Sequence, residues 1–132
     1  MRLTLVLPET RYFVWVEDPY PAGFEPVDTA LQTESQVELE EGSVASMPEG
    51  HGWIGWRDPF EHRELRDDHA VFFASSMAPG TYQVTYTLRA TLPGMYQVLP
   101  ARASEMYFPE VWGRTAGAVF EVLVPIVEPT AP

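Results

Sequence analysis

Three histidines and a group of carboxylates are the only residues here with obvious chemical reach. His62 and His69 lie on either side of Arg66-Asp67-Asp68, with Glu61 and Glu64 close by. Brought face to face across a turn, two imidazoles and those carboxylates have the donor atoms for a zinc-type shell. Their spacing is not that of ligands, and the His-Glu-x-x-His helix that positions such groups in metal hydrolases is missing. A solvated polar turn is the reading preferred for them. Asp67-Asp68 offers two acids, but neighbours on a turn point in different directions, whereas acid/base pairs need a cleft between separate elements. Ser35, Ser43, Ser46, Ser75, Ser76 and Ser104 sit in no nucleophile-elbow pattern. The glycines of Glu49-Gly50-His51-Gly52-Trp53-Ile54-Gly55-Trp56 are not followed by the Lys-Ser/Thr of a phosphate loop. No catalytic residue, metal site or cofactor is therefore assigned.

The totals narrow the class further. A chain of 132 residues fits one domain able to bury roughly two-thirds of its unfolded surface. There is no cysteine, which excludes a disulfide framework, a thiolate metal site and a thiol nucleophile. Nineteen acidic residues against eight basic ones, all arginine, give a net charge of −11. Such a chain is repelled by phosphate backbones and anionic lipid, so neither nucleic acid nor a membrane surface is an expected partner. No apolar run approaches the length of a membrane span, and Met1-Arg2-Leu3-Thr4-Leu5-Val6-Leu7-Pro8 is too short and interrupted for a secretory core.

The elements that must position any site read as strands. Thirteen prolines and nine glycines break the chain often, and no window holds a period near 3.6. Residues 2–7 alternate with Leu3, Leu5 and Leu7 on one face, and residues 11–17 are rich in aromatic and β-branched side chains. Pro8-Glu9-Thr10 is expected to join them as a hairpin. Asp18-Pro19-Tyr20-Pro21-Ala22-Gly23 stops the second strand, and residues 28–55 form a long, polar excursion. Residues 60–65 and 69–75 flank Arg66-Asp67-Asp68 as a further hairpin. Residues 81–90 set Tyr82, Val84, Tyr86 and Leu88 against Gln83, Thr85, Thr87 and Arg89, a strand with one buried face. Leu92-Pro93-Gly94 turns it into residues 95–99, and residues 118–124 make the last strand before a Pro-rich tail, 125–132. The expectation is an all-β, antiparallel two-sheet sandwich of immunoglobulin-like type with about seven strands, one domain over residues 1–124.

One connection stands out. Residues 101–115 read as a long loop, and within it Glu105-Met106-Tyr107-Phe108-Pro109-Glu110-Val111-Trp112 gathers large apolar groups, which are placed in a connection when they cover something. With Glu17-Asp18-Pro19-Tyr20-Pro21-Ala22-Gly23-Phe24-Glu25-Pro26, Glu61-His62-Arg63-Glu64-Leu65-Arg66-Asp67-Asp68-His69 and Arg89-Ala90-Thr91-Leu92-Pro93-Gly94, it resembles the C-terminal macroglobulin-like domain of bacterial alpha-2-macroglobulins, the bait-and-trap protease inhibitors. His69 departs from the Arg-Asp-Asp-Arg of relatives, and Trp112 is a bulky residue before Gly113-Arg114.

The resemblance implies a non-catalytic sandwich that leans on the thioester domain of the same polypeptide and meets target proteases only through the parent protein. It places the parent outside the cytoplasm, in the periplasm or at the cell surface. Met106 and Tyr107 are then expected to lie over the thioester and exclude water and amines, with Glu105, Phe108, Pro109 and Trp112 shaping the loop. Desolvation of that kind preserves labile bonds, and a pliable thioether beside a flat phenol suits a lid that must also release. The same two side chains serve equally well to plug the end of the sandwich, and both readings stand at this stage. The resemblance also implies a fragment lacking part of its N-terminal edge, free to pair with another copy. A second class of function is a carbohydrate-binding or adhesive module using Trp53, Trp56, Trp112 and exposed tyrosines as stacking platforms. A hydrolase built on His62, His69 and their carboxylates is the third.

Overall fold

The computed structural model describes residues 1–27 and 59–124. The polar excursion lies entirely outside them, as do Trp53, Trp56, His51 and the Pro-rich tail. The described residues contain strands and no helix: β1 (Arg2–Leu7), β2 (Arg11–Pro19), β3 (Phe24–Val27), β4 (His62–Leu65), β5 (His69–Met77), β6 (Gly80–Thr85), β7 (Thr87–Ala90), β8 (Gly94–Val98), β9 (Arg102–Glu105), β10 (Trp112–Arg114) and β11 (Ala118–Val122). Every pairing is antiparallel. The fold is an immunoglobulin-like sandwich, with more strands among the described residues than the seven expected.

One sheet holds five strands in the order β10-β9-β2-β5-β4. Facing it are the pairs β1-β6 and β3-β7, with β8-β11 as a third pair. The core forms where the inward positions of the two layers meet. Val14 and Val16 of β2 and Ala70, Phe72 and Ala74 of β5 pack against Leu7, Val84 and Tyr86, with Leu3, Leu5 and Tyr82 at the margin. Alternation of period two produces this directly, because successive side chains of a strand point to opposite faces.

The hairpin expected at Pro8-Glu9-Thr10 is not formed. β1 pairs with β6 and β2 pairs with β5 and β9, so the three residues arch from one sheet to the other. The physical reason is burial. Leu7 and Val14 both face the core, and the arch lets β1 and β2 cover it from opposite sides. The strand expected over residues 81–90 is split at Tyr86, where its pairing changes from β1 to β3. Its alternation survives the split, with Val84 and Tyr86 buried and Thr85 and Thr87 exposed. β2 runs two residues past Glu17, with Asp18 opposite Ala70 and Pro19 opposite His69.

Two details lock the layers together. Asp18 is 2% exposed, and its Oδ2 accepts the Tyr86 hydroxyl at 2.5 Å across the interior. Burial is the main cause that raises the Asp18 carboxyl above its ordinary value of 3.8, against the opposing Tyr86 hydrogen bond and the charge of the N-terminus. Burial and the charges of Asp18 and Asp68 push the neighbouring Tyr20 phenol up to about 12. At the other end Gly23, with φ 78°, lies against Tyr96 so closely that a Cβ would come within 2.6 Å of the ring. Glycine alone allows both that backbone and that contact.

A folded-state carboxyl pKa above its free value means that the folded chain holds the proton more tightly. Stability from this group therefore grows as pH falls through the raised value and is lost as pH rises. Asp18→Asn removes that dependence. Denaturant titrations are expected to show the unfolding free energy of Asp18→Asn relative to wild type to be highest near about pH 7 and to decline towards about pH 4. A constant difference would refute it.

Phe13 gives a second test. It is a non-glycine residue with φ 52°, a left-handed conformation that costs an L-residue about 1–2 kcal/mol. Phe13→Ala keeps that cost and Phe13→Gly relieves it. Both lose the ring, so the glycine variant is expected to be the more stable by about 1 kcal/mol in chemical denaturation, inverting the usual order within a strand.

Candidate functional site: an aromatic hairpin tip

The expected loop is a hairpin. β9 and β10 pair with Trp112 opposite Ser104, Gly113 opposite Ala103 and Arg114 opposite Arg102. Thr115 closes its base, donating its N–H to Ala101 O and accepting the Ala101 N–H at Oγ1, both at 2.9 Å. At the far end Glu105 N–H reaches Val111 O at 3.1 Å, and Val111 N–H bonds Phe108 O at 2.9 Å. Residues 106–111 thus form a tip with its own turn. Trp112, expected in a loop, is a strand residue.

The tip is held to the sheet by β2. Val14, Trp15, Val16 and Glu17 pair with Glu105, Ser104, Ala103 and Arg102, and Met106 N–H extends the ladder to Phe13 O at 2.9 Å. Glu105 is 8% exposed, and its Oε1 accepts the Tyr12 N–H at 3.1 Å. A buried carboxylate bonded to a backbone amide is costly to leave unpaired and so fixes its surroundings. On the other side of β2, opposite the distorted Phe13, Glu61 Oε1 accepts both the N–H and the hydroxyl of Ser75.

Above this anchored base the apolar side chains point outward. Met106, Tyr107, Phe108 and Trp112 are about half exposed or more, as are Tyr12 and Phe13 nearby. The Phe13 and Tyr107 rings meet edge to face at 5.0 Å. The Arg102 guanidinium lies 5.6 Å over the Trp112 ring. Pro109 and Glu110 are exposed at the turn. The plugging alternative does not describe Met106 and Tyr107, since neither belongs to the core cluster.

Sequence reasoning singled out the hairpin residues but missed Phe13, Tyr12 and the anchoring role of Glu105. Tyr12 and Phe13 sit in a strand rich in aromatics, and nothing local marks them as neighbours of a segment so distant in sequence. The other candidates separate. His62 lies opposite Phe73, at the end of β4 remote from the turn, while His69 adjoins the turn opposite Pro19. His69 Nδ1 lies 2.5 Å from Asp68 Oδ1, and His62 Nε2 lies 3.6 Å from Glu64 Oε2. Among the described residues no group of three or more such side chains could hold a metal. The turn is structural, with Arg66 N–H to His69 O and Tyr20 N–H to Asp68 O, each at 2.9 Å.

Comparison with known proteins places this architecture. An alpha-2-macroglobulin homolog of Nostoc sp. strain PCC 7120 is 30% identical over 102 residues, 76% of this chain and 5% of its own length. A circularly permutated Ras protein 2 of Dictyostelium discoideum is 32% identical over 105 residues, 80% of this chain and 2% of its own. The crystal structure of native alpha-2-macroglobulin from Escherichia coli, spanning domain MG7 to the C-terminus, superposes with a TM-score of 0.67 at 22% identity. It covers 91% of this chain and 18% of that one. The chain therefore spans a small part of each of these proteins. The family model of the bacterial alpha-2-macroglobulin MG10 domain matches residues 1–110, and the chain belongs to that family.

Proposed function

We propose that this domain is the non-catalytic, thioester-shielding module of a bacterial alpha-2-macroglobulin-like protease inhibitor acting outside the cytoplasm. The hairpin tip docks on the thioester domain of the same polypeptide, with Met106 and Tyr107 over the reactive bond. Target proteases are met only through the parent, when bait cleavage releases the tip. The reading is carried by one observation: large apolar side chains are exposed on a tip whose backbone is pinned to a rigid sheet.

The physical logic is exclusion. A thioester open to water is hydrolysed, and one covered by an apolar wall is not reached by water or amines. Tyr107 adds a hydroxyl able to take a hydrogen bond in the covered state, and Met106 supplies a shape-adaptable filler. The chain contains no cysteine, so it contributes the cover and not the bond. Glu105, Phe108, Pro109 and Trp112 set the height and slope of the tip. Of the three tryptophans named for glycan stacking, only Trp112 lies among the described residues, and Arg102 lies over one face of its ring.

Tyr107→Ala in the intact inhibitor is expected to accelerate thiol release by methylamine by about tenfold or more, for a loss of about 1.4 kcal/mol of protection. Tyr107 is exposed and makes a single ring contact among the described residues, so the domain itself should unfold within about 1 kcal/mol of wild type. An unchanged release rate would remove the lid assignment. Saturable indole quenching during a glycan titration would favour the stacking module instead.

A further inference from the structure

Around Tyr107 the main chain is held on either side. Met106 N–H bonds Phe13 O at 2.9 Å, and Val111 N–H bonds Phe108 O at 2.9 Å. The phenol itself is 67% exposed. Exposed side chains exchange rotamers on the ps–ns scale unless a contact selects one. Docking a ring that samples several rotamers costs entropy that a ring already set in place does not.

Phe13 supplies a selecting contact. Its ring meets that of Tyr107 with 5.0 Å between centroids and 83° between planes, the edge-to-face arrangement that the quadrupoles of two rings favour over a face-to-face sandwich. The two residues are distant in sequence and are brought together by β2 and β9. The register that pairs Val14 with Glu105 sets Phe13 across from Met106, one residue before Tyr107.

The backbone at Phe13 departs from the strand around it. Its φ is 52°, and the β2–β5 register runs from Tyr12 opposite Ser76 to Val14 opposite Ala74 and passes over it. A left-handed φ takes the side chain out of the two-residue alternation that Val14 and Val16 follow. Glycine would adopt this backbone without strain and would still offer the carbonyl that receives Met106. What glycine lacks is the ring. Strain that surrounding bonds maintain at one residue points to a task that a relaxed residue does not perform, and the task visible here is to bring an aromatic ring to Tyr107. We propose that Phe13 is the positioning residue for Tyr107, its ring selecting the orientation in which the phenol is presented to the surface it covers. The inference rests on the lid reading for what Tyr107 covers, though not for the hold on its ring.

Two measurements separate the hold from the lid. In the chain itself, wild type is expected to show nuclear Overhauser contacts between the Phe13 and Tyr107 rings and Tyr107 Hα–Hβ couplings of one rotamer. Phe13→Leu should average those couplings, and Phe13→Tyr, which keeps a ring, should restore them. Phe13→Gly gives the same reading on a relaxed backbone should the leucine variant fail to fold. In the intact inhibitor, Phe13→Leu is expected to accelerate thiol release by methylamine about threefold, the scale of one edge-to-face pair. Phe13→Tyr should recover that loss, and Phe13→Leu should add nothing once Tyr107 is replaced by alanine. Couplings that stay unaveraged in both ringless variants would overturn the proposal, as would equal acceleration by Phe13→Leu with and without the Tyr107 ring. Couplings that respond to Phe13 beside a release rate indifferent to Tyr107→Ala would uphold the hold and remove the lid.

Discussion

β2 is the strand on which the rest of the arrangement depends, because it is hydrogen-bonded along both edges. β5 takes one side and β9 the other. A strand gripped in this way cannot slip, since a shift of one residue would send Val14, Val16 and Asp18 to the outer face. The hairpin that β9 begins therefore inherits its position from the core. The left-handed backbone at Phe13 lies where that ladder ends, its carbonyl accepting Met106 and its ring meeting Tyr107. Local strain is tolerated where surrounding bonds over-determine the geometry, and Glu105 to Tyr12 and Glu61 to Ser75 are such bonds.

The buried Asp18–Tyr86 contact does for the two layers what the ladder does for one. A purely apolar interior sets spacing but leaves sliding cheap, whereas a hydrogen bond in low dielectric is costly to break without a substitute. Tyr86 sits at the change of partner between β6 and β7, so the tie is made where the facing layer is discontinuous. The cost is a carboxyl held in poor solvation, opposed to the gain in uniqueness of packing.

The face of each strand was readable from alternation, and its partner was not. Leu3, Leu5 and Leu7, and Tyr82, Val84, Tyr86 and Leu88, turn inward as their spacing requires. The turn at Arg66-Asp67-Asp68 followed from local chemistry and joins β4 to β5 as expected. Pro8-Glu9-Thr10 did not, because a short link between two one-faced strands suits an arch between layers as well as a hairpin within one. The hairpin of β9 and β10 was hidden for another reason: Arg-Ala-Ser-Glu and Trp-Gly-Arg carry little of the β-branched signal that marks a strand. Their pairing comes from the edge that β2 offers. Met106, Tyr107 and Trp112 were visible through residue type, while Phe13 and Tyr12 reach the tip only through tertiary contact.

The tip is secured through main-chain groups and one carboxylate, and its outermost side chains add little to the interior. Met106, Tyr107 and Phe108 can thus change identity at small cost to folding, because the bonds that hold them do not depend on what they are. Selection is free to rewrite the lettering at this corner, while Glu105 and the strand beneath it keep the page in place.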